Sequence, residues 1–153
     1  MLTSGDMAPD FTLPATTGGT ITLSQLRPAP VVVFFYPKDD TPGCTIENKD
    51  FTSLAAEFEA AGAKVLGISK DSLGKHEKFS AKHDLSVTLL SDEDSDACEG
   101  FGVWQEKKMY GKTFMGIQRA TFLIDGDGRI ARAWPKVKVD GHAQEVLEAV
   151  KAL

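Results

Sequence analysis

Residues 31–36 of the chain read VVVFFY, and residues 37–45 continue as PKDDTPGCT. A run of six apolar residues, all β-branched or aromatic, is typical of a central strand that is buried on both faces of a sheet. The strand ends at Pro37, and after a short loop a helix begins. A buried strand that leads through a loop into a helix predicts an α/β fold, in which ligand and catalytic sites gather at the carboxyl ends of strands.

Strand signals, which are short apolar or alternating runs bounded by turn residues, recur on both sides of this segment. They predict two more buried strands and a terminal pair joined by a hairpin turn, at Lys64–Ser69, Val87–Leu90, Ala120–Ile124 and Arg129–Trp134. Upstream, alternating residues around Gly18 and Gly19 predict a β-hairpin made of Phe11–Leu13 and Thr20–Leu23. The polar segment Gln105–Gly116 is predicted to be a loop.

Apolar residues at helical spacing, together with capping residues, predict four helices. The first carries Cys44 in its first turn and the apolar positions of Phe51–Ala61, and it ends at Gly62. The others run from Asp71 or Ser72 to about His83, across Asp94–Phe101, and from about His142 to Leu153. Strands linked by helices pair in parallel, whereas a hairpin is antiparallel. The expected fold is therefore α/β, with a central mixed sheet flanked by helices on both faces.

Length and composition fit one globular domain that spans residues 1–153. The longest apolar run, residues 31–36, is far shorter than the ~20 residues that a membrane-spanning helix needs, so we expect no membrane association. A net charge of −5 argues against general nucleic-acid binding, which needs a basic face. The first ten residues resemble neither a secretory signal nor a transit peptide, so we expect a cytoplasmic protein.

Two cysteines, Cys44 and Cys98, are too few for a disulfide scaffold and fit a reducing compartment. The cysteines and histidines do not lie at zinc-like spacing, so no metal site is expected. The three histidines, His76, His83 and His142, are interpreted as surface residues of helices. Because no histidine base is assigned, a Cys–His hydrolase is not expected.

Cys44 is the candidate nucleophile. It falls in the first turn of a helix, where free backbone N–H groups and the positive helix end favour an anion such as a thiolate. Pro42 restricts Thr41 to extended geometry, which aims its hydroxyl toward the expected pocket. Gly43 lets a small substrate approach the backbone closely. The alternative is an inert buried cysteine, since free cysteine often packs as a small hydrophobe.

The pattern Pro37-x-x-x-Thr41-x-x-Cys44 resembles the active-site motif of peroxiredoxins, and the wider string YPKDDTPGCT resembles their peroxiredoxin Q subfamily, also called bacterioferritin comigratory protein. Further matches are APDF at residues 8–11, FGVW at 101–104 and KMYGKTFMGIQRATFLID at 108–125. The resemblance covers essentially the whole chain. It implies a thioredoxin-like fold with an N-terminal hairpin extension, and an antioxidant peroxidase that uses no metal, haem or flavin.

By the same resemblance, Cys44 is the peroxidatic cysteine, which attacks hydrogen peroxide or an organic hydroperoxide and becomes a sulfenic acid. The family's active-site threonine, proline and arginine match Thr41, Pro37 and Arg119. Arg119 is expected to stabilise the thiolate and to bind the peroxide oxygens as negative charge spreads over them. Thr41 is expected to hydrogen-bond the substrate, and Pro37 to shield the thiolate from water.

Members of the family usually resolve the sulfenic acid with a second cysteine, and the two usual positions hold Lys49 and Ser80 in this chain. We therefore expect a one-cysteine mechanism, in which thioredoxin, glutaredoxin or glutathione reduces the sulfenic acid. The alternative is a disulfide between Cys44 and Cys98, although Cys98 is interpreted first as a packing residue. The expected oligomeric state is a monomer, with a weak homodimer as the alternative.

Two other classes of protein compete with a thiol peroxidase. A thioredoxin-like disulfide oxidoreductase needs a vicinal C-x-x-C, and this chain has Glu47 at the second cysteine position. A non-catalytic interaction protein on the same fold has an unactivated Cys44. Asp39 and Asp40 are interpreted as solvated loop acids near the thiolate, with a functional carboxylate pair as the alternative. Lys107, Lys108 and Lys112 are interpreted as solvated loop residues, with docking of an acidic reductant as the alternative.

Overall fold

The computed structural model describes residues 1–153 and contains nine strands and five α-helices. The strands are β1 (Thr12–Pro14), β2 (Thr20–Thr22), β3 (Val31–Phe35), β4 (Lys64–Ser69), β5 (Thr88–Ser91), β6 (Trp104–Met109), β7 (Lys112–Ile117), β8 (Ala120–Ile124) and β9 (Ile130–Trp134). The helices are α1 (Pro42–Ser53), α2 (Ala55–Ala60), α3 (Leu73–His83), α4 (Ala97–Gly100) and α5 (His142–Lys151). None of these helices has the length and apolar character that crossing a membrane requires.

Five strands form the central sheet, in the order β5-β4-β3-β8-β9. β3 lies at the centre, where it pairs in parallel with β4 and antiparallel with β8. β5 extends the parallel half of the sheet, and β9 extends the antiparallel half. The predicted mixed sheet is confirmed, since the helix-linked strands run parallel and the terminal hairpin runs antiparallel.

All five residues of β3 are buried, and their side chains enter two separate cores in alternation. Val31, Val33 and Phe35 pack against α4 and the N-terminal hairpin β1–β2. Val32 and Phe34 pack against α1, α2, α3 and α5 on the opposite face. Burial on both faces of the sheet therefore explains the continuous apolar run.

The predictions of the N-terminal hairpin and of the capping residue of α3 are confirmed. β1 and β2 pair antiparallel, and the Ser72 hydroxyl accepts from the Lys75 amide at 3.2 Å as the cap of α3. The single long helix predicted to end at Gly62 is instead two helices, α1 and α2. Leu54 separates them with a non-helical backbone, φ −100° and ψ 5°.

Of two predictions about the segment after β5, the helix is confirmed with shorter bounds and the loop is wrong. The helix predicted at Asp94–Phe101 is limited to α4, whose first two amides donate to the carboxylate of Asp92. The segment predicted to be a loop, Gln105–Gly116, lies within the antiparallel hairpin β6–β7. The turn of this hairpin places Tyr110 at φ 52° and Gly111 at φ 75°. Two consecutive positive φ values are typical of a tight two-residue hairpin turn.

The prediction of surface histidines is wrong for two of the three. His76 and His142 are 0% and 4% exposed, and His83 keeps only part of its side chain in solvent. His142 Nε2 pairs with the Thr121 hydroxyl at 2.8 Å, and burial lowers the pKa of His142 to about 4. His76 pairs with Asp39, which is 8% exposed and not a solvated loop acid. Both buried rings find partners from distant parts of the chain, as buried polar groups must.

Candidate active site

Cys44 is the third residue of α1, just beyond the carboxyl end of the central strand β3. Thr41 is the N-cap residue of α1, with an extended backbone (φ −98°, ψ 155°), and Pro42 is the first helical residue. This is the geometry expected of a residue that precedes proline. The Thr41 hydroxyl donates to the Lys38 carbonyl at 2.8 Å, so its lone pairs are left to accept a bond from a ligand.

Cys44 is almost completely buried, with 1% of the residue exposed. The amides of Gly43 and Cys44 lie in the first turn of α1, where no carbonyl of the helix reaches them. The helix end therefore offers free donors and a partial positive charge next to the thiol. Such surroundings favour an anionic sulfur.

Arg119 reaches the thiol from the antiparallel half of the sheet. Phe35, at the end of β3, pairs with Ala120 at the start of β8, so Arg119 lies beside the point where the loop to Cys44 begins. Arg119 Nη2 donates to Cys44 Sγ at 3.3 Å. The strand register thus joins two predicted site residues that are 75 positions apart in the sequence.

Gly43 leaves room for this guanidinium group. A Cβ atom at residue 43 would lie 3.2 Å from Arg119 Nη2, which is closer than an ordinary van der Waals contact. From the sequence, Gly43 is expected to let a substrate approach the backbone closely. The observed neighbour is the side chain of Arg119, so the absence of a Cβ atom serves the contact between arginine and thiol.

Glu47 is not among the site residues predicted from the sequence. Its Oε1 atom accepts from Arg119 Nη1 at 2.7 Å, while its Oε2 atom is buried without a partner. Burial raises the pKa of Glu47 from 4.5 to about 7, although Arg119 favours the charged form. Burial lowers the pKa of Arg119, but attraction to Glu47 and Cys44 outweighs it and the net shift is upward. The available signal was the three-residue spacing from Cys44, which puts both side chains on one helix face.

The loop from Pro37 to Thr41, which we call the catalytic loop, connects β3 to the helix that carries Cys44. A groove of about 340 Å³ opens beside it, between Pro37 and the hairpin β6–β7. Phe114 and Met115 line its hairpin side and are 43% and 50% exposed. Lys107 also lines the groove, and burial together with repulsion from Arg119 lowers its pKa. The groove therefore has an apolar wall on its hairpin side and a lysine, Lys107, that is close enough to Arg119 for the two positive charges to repel each other. Pro37 is itself exposed at the edge of the groove.

Three potential metal ligands, Asp39, Asp71 and His76, have donor atoms within 4.8 Å of one another. They are already bonded within the protein. Asp39 Oδ2 contacts His76 Nδ1 at 2.6 Å, and Asp71 Oδ2 accepts from the Ser69 hydroxyl at 2.6 Å. These hydrogen bonds account for the burial of the three side chains.

Cys98 lies on the opposite face of the sheet from Cys44. Cys98 belongs to the core with α4, whereas Cys44 belongs to the core with α1, and both thiols are free. Burial and the Asp92 carboxylate raise the pKa of the Cys98 thiol, which disfavours its thiolate. At the two positions where the family resemblance leads us to expect a resolving cysteine, Lys49 is exposed and the Ser80 hydroxyl is buried without a partner.

Comparison with known proteins identifies relatives of this chain. The family model described as the AhpC/TSA family matches residues 4–133. Peroxiredoxin Bcp of Xanthomonas campestris is 49% identical over 147 residues, which cover 95% of this chain and 92% of that protein.

Solved structures extend the similarity to three dimensions. The bacterioferritin comigratory protein of Xanthomonas campestris, studied for its alkyl peroxide reduction activity, superposes with a TM-score of 0.88 at 48% identity, over 93% of this chain and 90% of that chain. A peroxiredoxin Q mutant of Xylella fastidiosa superposes with a TM-score of 0.93 at 41% identity, over 99% and 97% of the two chains. The thioredoxin-like fold with its N-terminal hairpin is thereby confirmed. The chain belongs to the AhpC/TSA family, within its peroxiredoxin Q or bacterioferritin comigratory protein subfamily.

Proposed function

We propose that this chain, a thiol peroxidase by family, uses Cys44 as its peroxidatic cysteine. The thiolate attacks one peroxide oxygen, so that an S–O bond forms as the O–O bond breaks. Cys44 becomes a sulfenic acid, and the leaving oxygen takes up a proton and departs as water or an alcohol. The observation that carries this assignment is the 3.3 Å contact between Arg119 Nη2 and Cys44 Sγ at the start of α1.

Arg119 acts on both the nucleophile and the leaving group. Its permanent charge favours the thiolate, and its fixed donors face the oxygens on which negative charge develops. Glu47 holds Nη1 and so orients the guanidinium with Nη2 toward the sulfur. The Thr41 hydroxyl, which donates to the Lys38 carbonyl, accepts a bond from the protonated peroxide oxygen. Pro37 borders the groove and limits the access of water.

An external thiol completes the cycle. A disulfide needs the two Cα atoms within about 7 Å, and Cys44 and Cys98 lie in cores on opposite faces of the sheet. This separation supports a one-cysteine mechanism with thioredoxin, glutaredoxin or glutathione as the reductant. The alternative disulfide between Cys44 and Cys98 requires α1 or α4 to leave its core.

The groove suits organic hydroperoxides as well as hydrogen peroxide. Phe114 and Met115 offer an apolar surface to an alkyl group next to the catalytic loop. The alkyl peroxide reduction activity of the Xanthomonas campestris relative supports the same substrate class. Because the cycle depends on a pool of reduced thiols, we propose a cytoplasmic location, and we propose that the protein acts as a monomer.

Turnover of hydrogen peroxide with a reduced external thiol tests the assignment. Cys44→Ser is expected to abolish peroxide consumption. Cys98→Ser is the matched control, because it removes the other buried thiol, and it is expected to turn over at the wild-type rate. Turnover in Cys44→Ser would refute the role of Cys44. If Cys98→Ser also loses turnover, the result would favour the mechanism with a disulfide between Cys44 and Cys98.

A further inference from the structure

Asp39 and Asp40 are adjacent acids of the catalytic loop, and each contacts a histidine of α3. Asp39 is 8% exposed, whereas Asp40 is exposed and has a left-handed backbone, φ 59°. His76 and His83 are seven residues apart on α3 and therefore share one face of the helix. His76 contacts Asp39 from inside the protein, and His83 contacts Asp40 from the surface. We call these four residues the loop clamp.

The inner half of the loop clamp is a closed hydrogen-bond network. His76 Nδ1 lies 2.6 Å from Asp39 Oδ2, and His76 Nε2 lies 2.9 Å from the Leu90 carbonyl oxygen. A carbonyl only accepts, so Nε2 carries a proton, and a second proton lies between Nδ1 and the carboxylate. Asp39 also accepts from the Tyr36 hydroxyl at 2.6 Å, and its amide donates to Asp71 Oδ2 at 2.8 Å. Every polar atom of the Asp39 side chain therefore has a partner.

The outer half of the loop clamp is partly exposed to solvent, with 45% of the Asp40 side chain and 17% of the His83 side chain accessible. Asp40 accepts from His83 Nε2 at 2.8 Å and from Lys82 Nζ at 2.7 Å. The hydrogen bonds from His83 and Lys82 hold the pKa of the Asp40 carboxyl below its usual range. Exposed ion pairs of this kind contribute little to stability. The buried contact between His76 and Asp39 is therefore the half that fixes the loop.

Asp39 is the main anchor of the catalytic loop. It is the only buried residue from Pro37 to Thr41. The Thr41 hydroxyl donates to the carbonyl of Lys38, the residue before Asp39, and Thr41 is the N-cap residue of the helix that carries Cys44. A displacement of Asp39 consequently moves both the substrate-binding hydroxyl and the start of α1.

We propose that His76 is a positioning residue of the peroxidase: from α3 it fixes Asp39, and through Asp39 it holds the loop that presents Thr41 and Cys44 to the peroxide. The hydrogen-bond partners of the His76 side chain are Tyr36, Asp39 and Leu90, and neither Cys44 nor Arg119 is among them, so His76 takes no part in bond making. The inference rests on the proposed function of Cys44, because it concerns the rate at which this thiolate meets peroxide.

Four single variants separate positioning from folding. His76→Phe keeps an aromatic ring but removes both polar contacts, and Asp39→Leu removes the acceptor. Asp39→Asn is the conservative variant, because its amide group can donate to a neutral His76 ring while its carbonyl accepts from the Tyr36 hydroxyl. His142→Phe is the matched control, since His142 is equally buried and lies outside the loop clamp.

Two rates are measured on each reduced protein, oxidation of Cys44 by hydrogen peroxide in a single turnover and alkylation of Cys44 by iodoacetamide. We expect His76→Phe and Asp39→Leu to slow oxidation by about 10- to 100-fold, the range for a misplaced reacting group. Alkylation should slow by a smaller factor than oxidation, because it needs the thiolate but not the Thr41 hydroxyl. Asp39→Asn and His142→Phe should oxidise within about threefold of the wild type, a difference of less than ~1 kcal/mol. The double variant of His76→Phe and Asp39→Leu should be no slower than either alone.

An oxidation rate of His76→Phe equal to that of the wild type would overturn the proposal. An equal fall in oxidation and alkylation would also overturn it, because that pattern indicates a general loss of structure. If His76→Phe does not fold, the two Asp39 variants test the proposal instead. The proposal then requires that peroxide oxidises Cys44 at a near wild-type rate in Asp39→Asn and slowly in Asp39→Leu. A wild-type protein that does not react with peroxide would instead refute the proposed function, so the two failures are distinguishable.

Discussion

Glu47→Gln measures what the buried carboxylate contributes to folding. Burial raises the pKa of Glu47 from 4.5 to about 7, so between these values the folded protein holds a proton that the unfolded chain has released. Stability is therefore greatest below the unfolded pKa and is lost as pH rises through the folded pKa. At about 1.4 kcal/mol for each pH unit, this window corresponds to about 3 kcal/mol.

Glutamine keeps an acceptor for Arg119 Nη1 but does not titrate. Urea unfolding of both reduced proteins at about pH 4 and about pH 8 gives the free energy of unfolding at each end of the window. The difference between Glu47→Gln and the wild type should shift in favour of the variant by about 3 kcal/mol at the higher pH. Glu59→Gln, at an exposed position of α2, is the matched control and should show no such shift. A pH-independent difference for Glu47→Gln would refute the reasoning.

Three further substitutions test the site. Arg119→Ala removes the donor to Cys44 and should slow oxidation by peroxide by about 100- to 1,000-fold in stopped-flow measurements, and an unchanged rate would contradict its role. Gly43→Ala inserts a Cβ atom 3.2 Å from Arg119 Nη2 and should also slow oxidation, whereas wild-type kinetics would show that the guanidinium moves aside freely. Phe114→Ser removes part of the apolar wall and should lower kcat/KM for cumene hydroperoxide but not for hydrogen peroxide, and equal effects on both would exclude the groove as a substrate site.

The sheet was predictable because its strands bury apolar side chains on both faces, and the central strand, VVVFF at residues 31–35, has no polar side chain. The hairpin β6–β7 could not be predicted from the sequence, because most of its side chains are exposed and backbone hydrogen bonds hold its strands together. Its turn is formed by Tyr110 and Gly111, and not by the Asn-Gly or Asp-Gly pairs that signal such turns.

The residues of the site also differ in whether the sequence identifies them. Cys44 and Thr41 are local to the strand, loop and helix, so their sequence neighbours identify them. Arg119 is identified only through the resemblance of the surrounding sequence to the family, because its contact with Cys44 depends on the register of β3 and β8. The burial of His76 does not follow from the sequence, since its partner Asp39 is 37 positions away and no helical pattern reveals such a pairing.

The central claim is that Cys44 forms a sulfenic acid that survives until an external thiol reduces it. The most direct test is the intact mass after one equivalent of hydrogen peroxide, with dimedone present to trap sulfenic acid. The mechanism predicts a single dimedone adduct that peptide mapping assigns to Cys44. Loss of two hydrogens without an adduct would reveal a disulfide with Cys98 and contradict the one-cysteine mechanism. An unchanged mass would contradict the assignment of Cys44 as the peroxidatic residue.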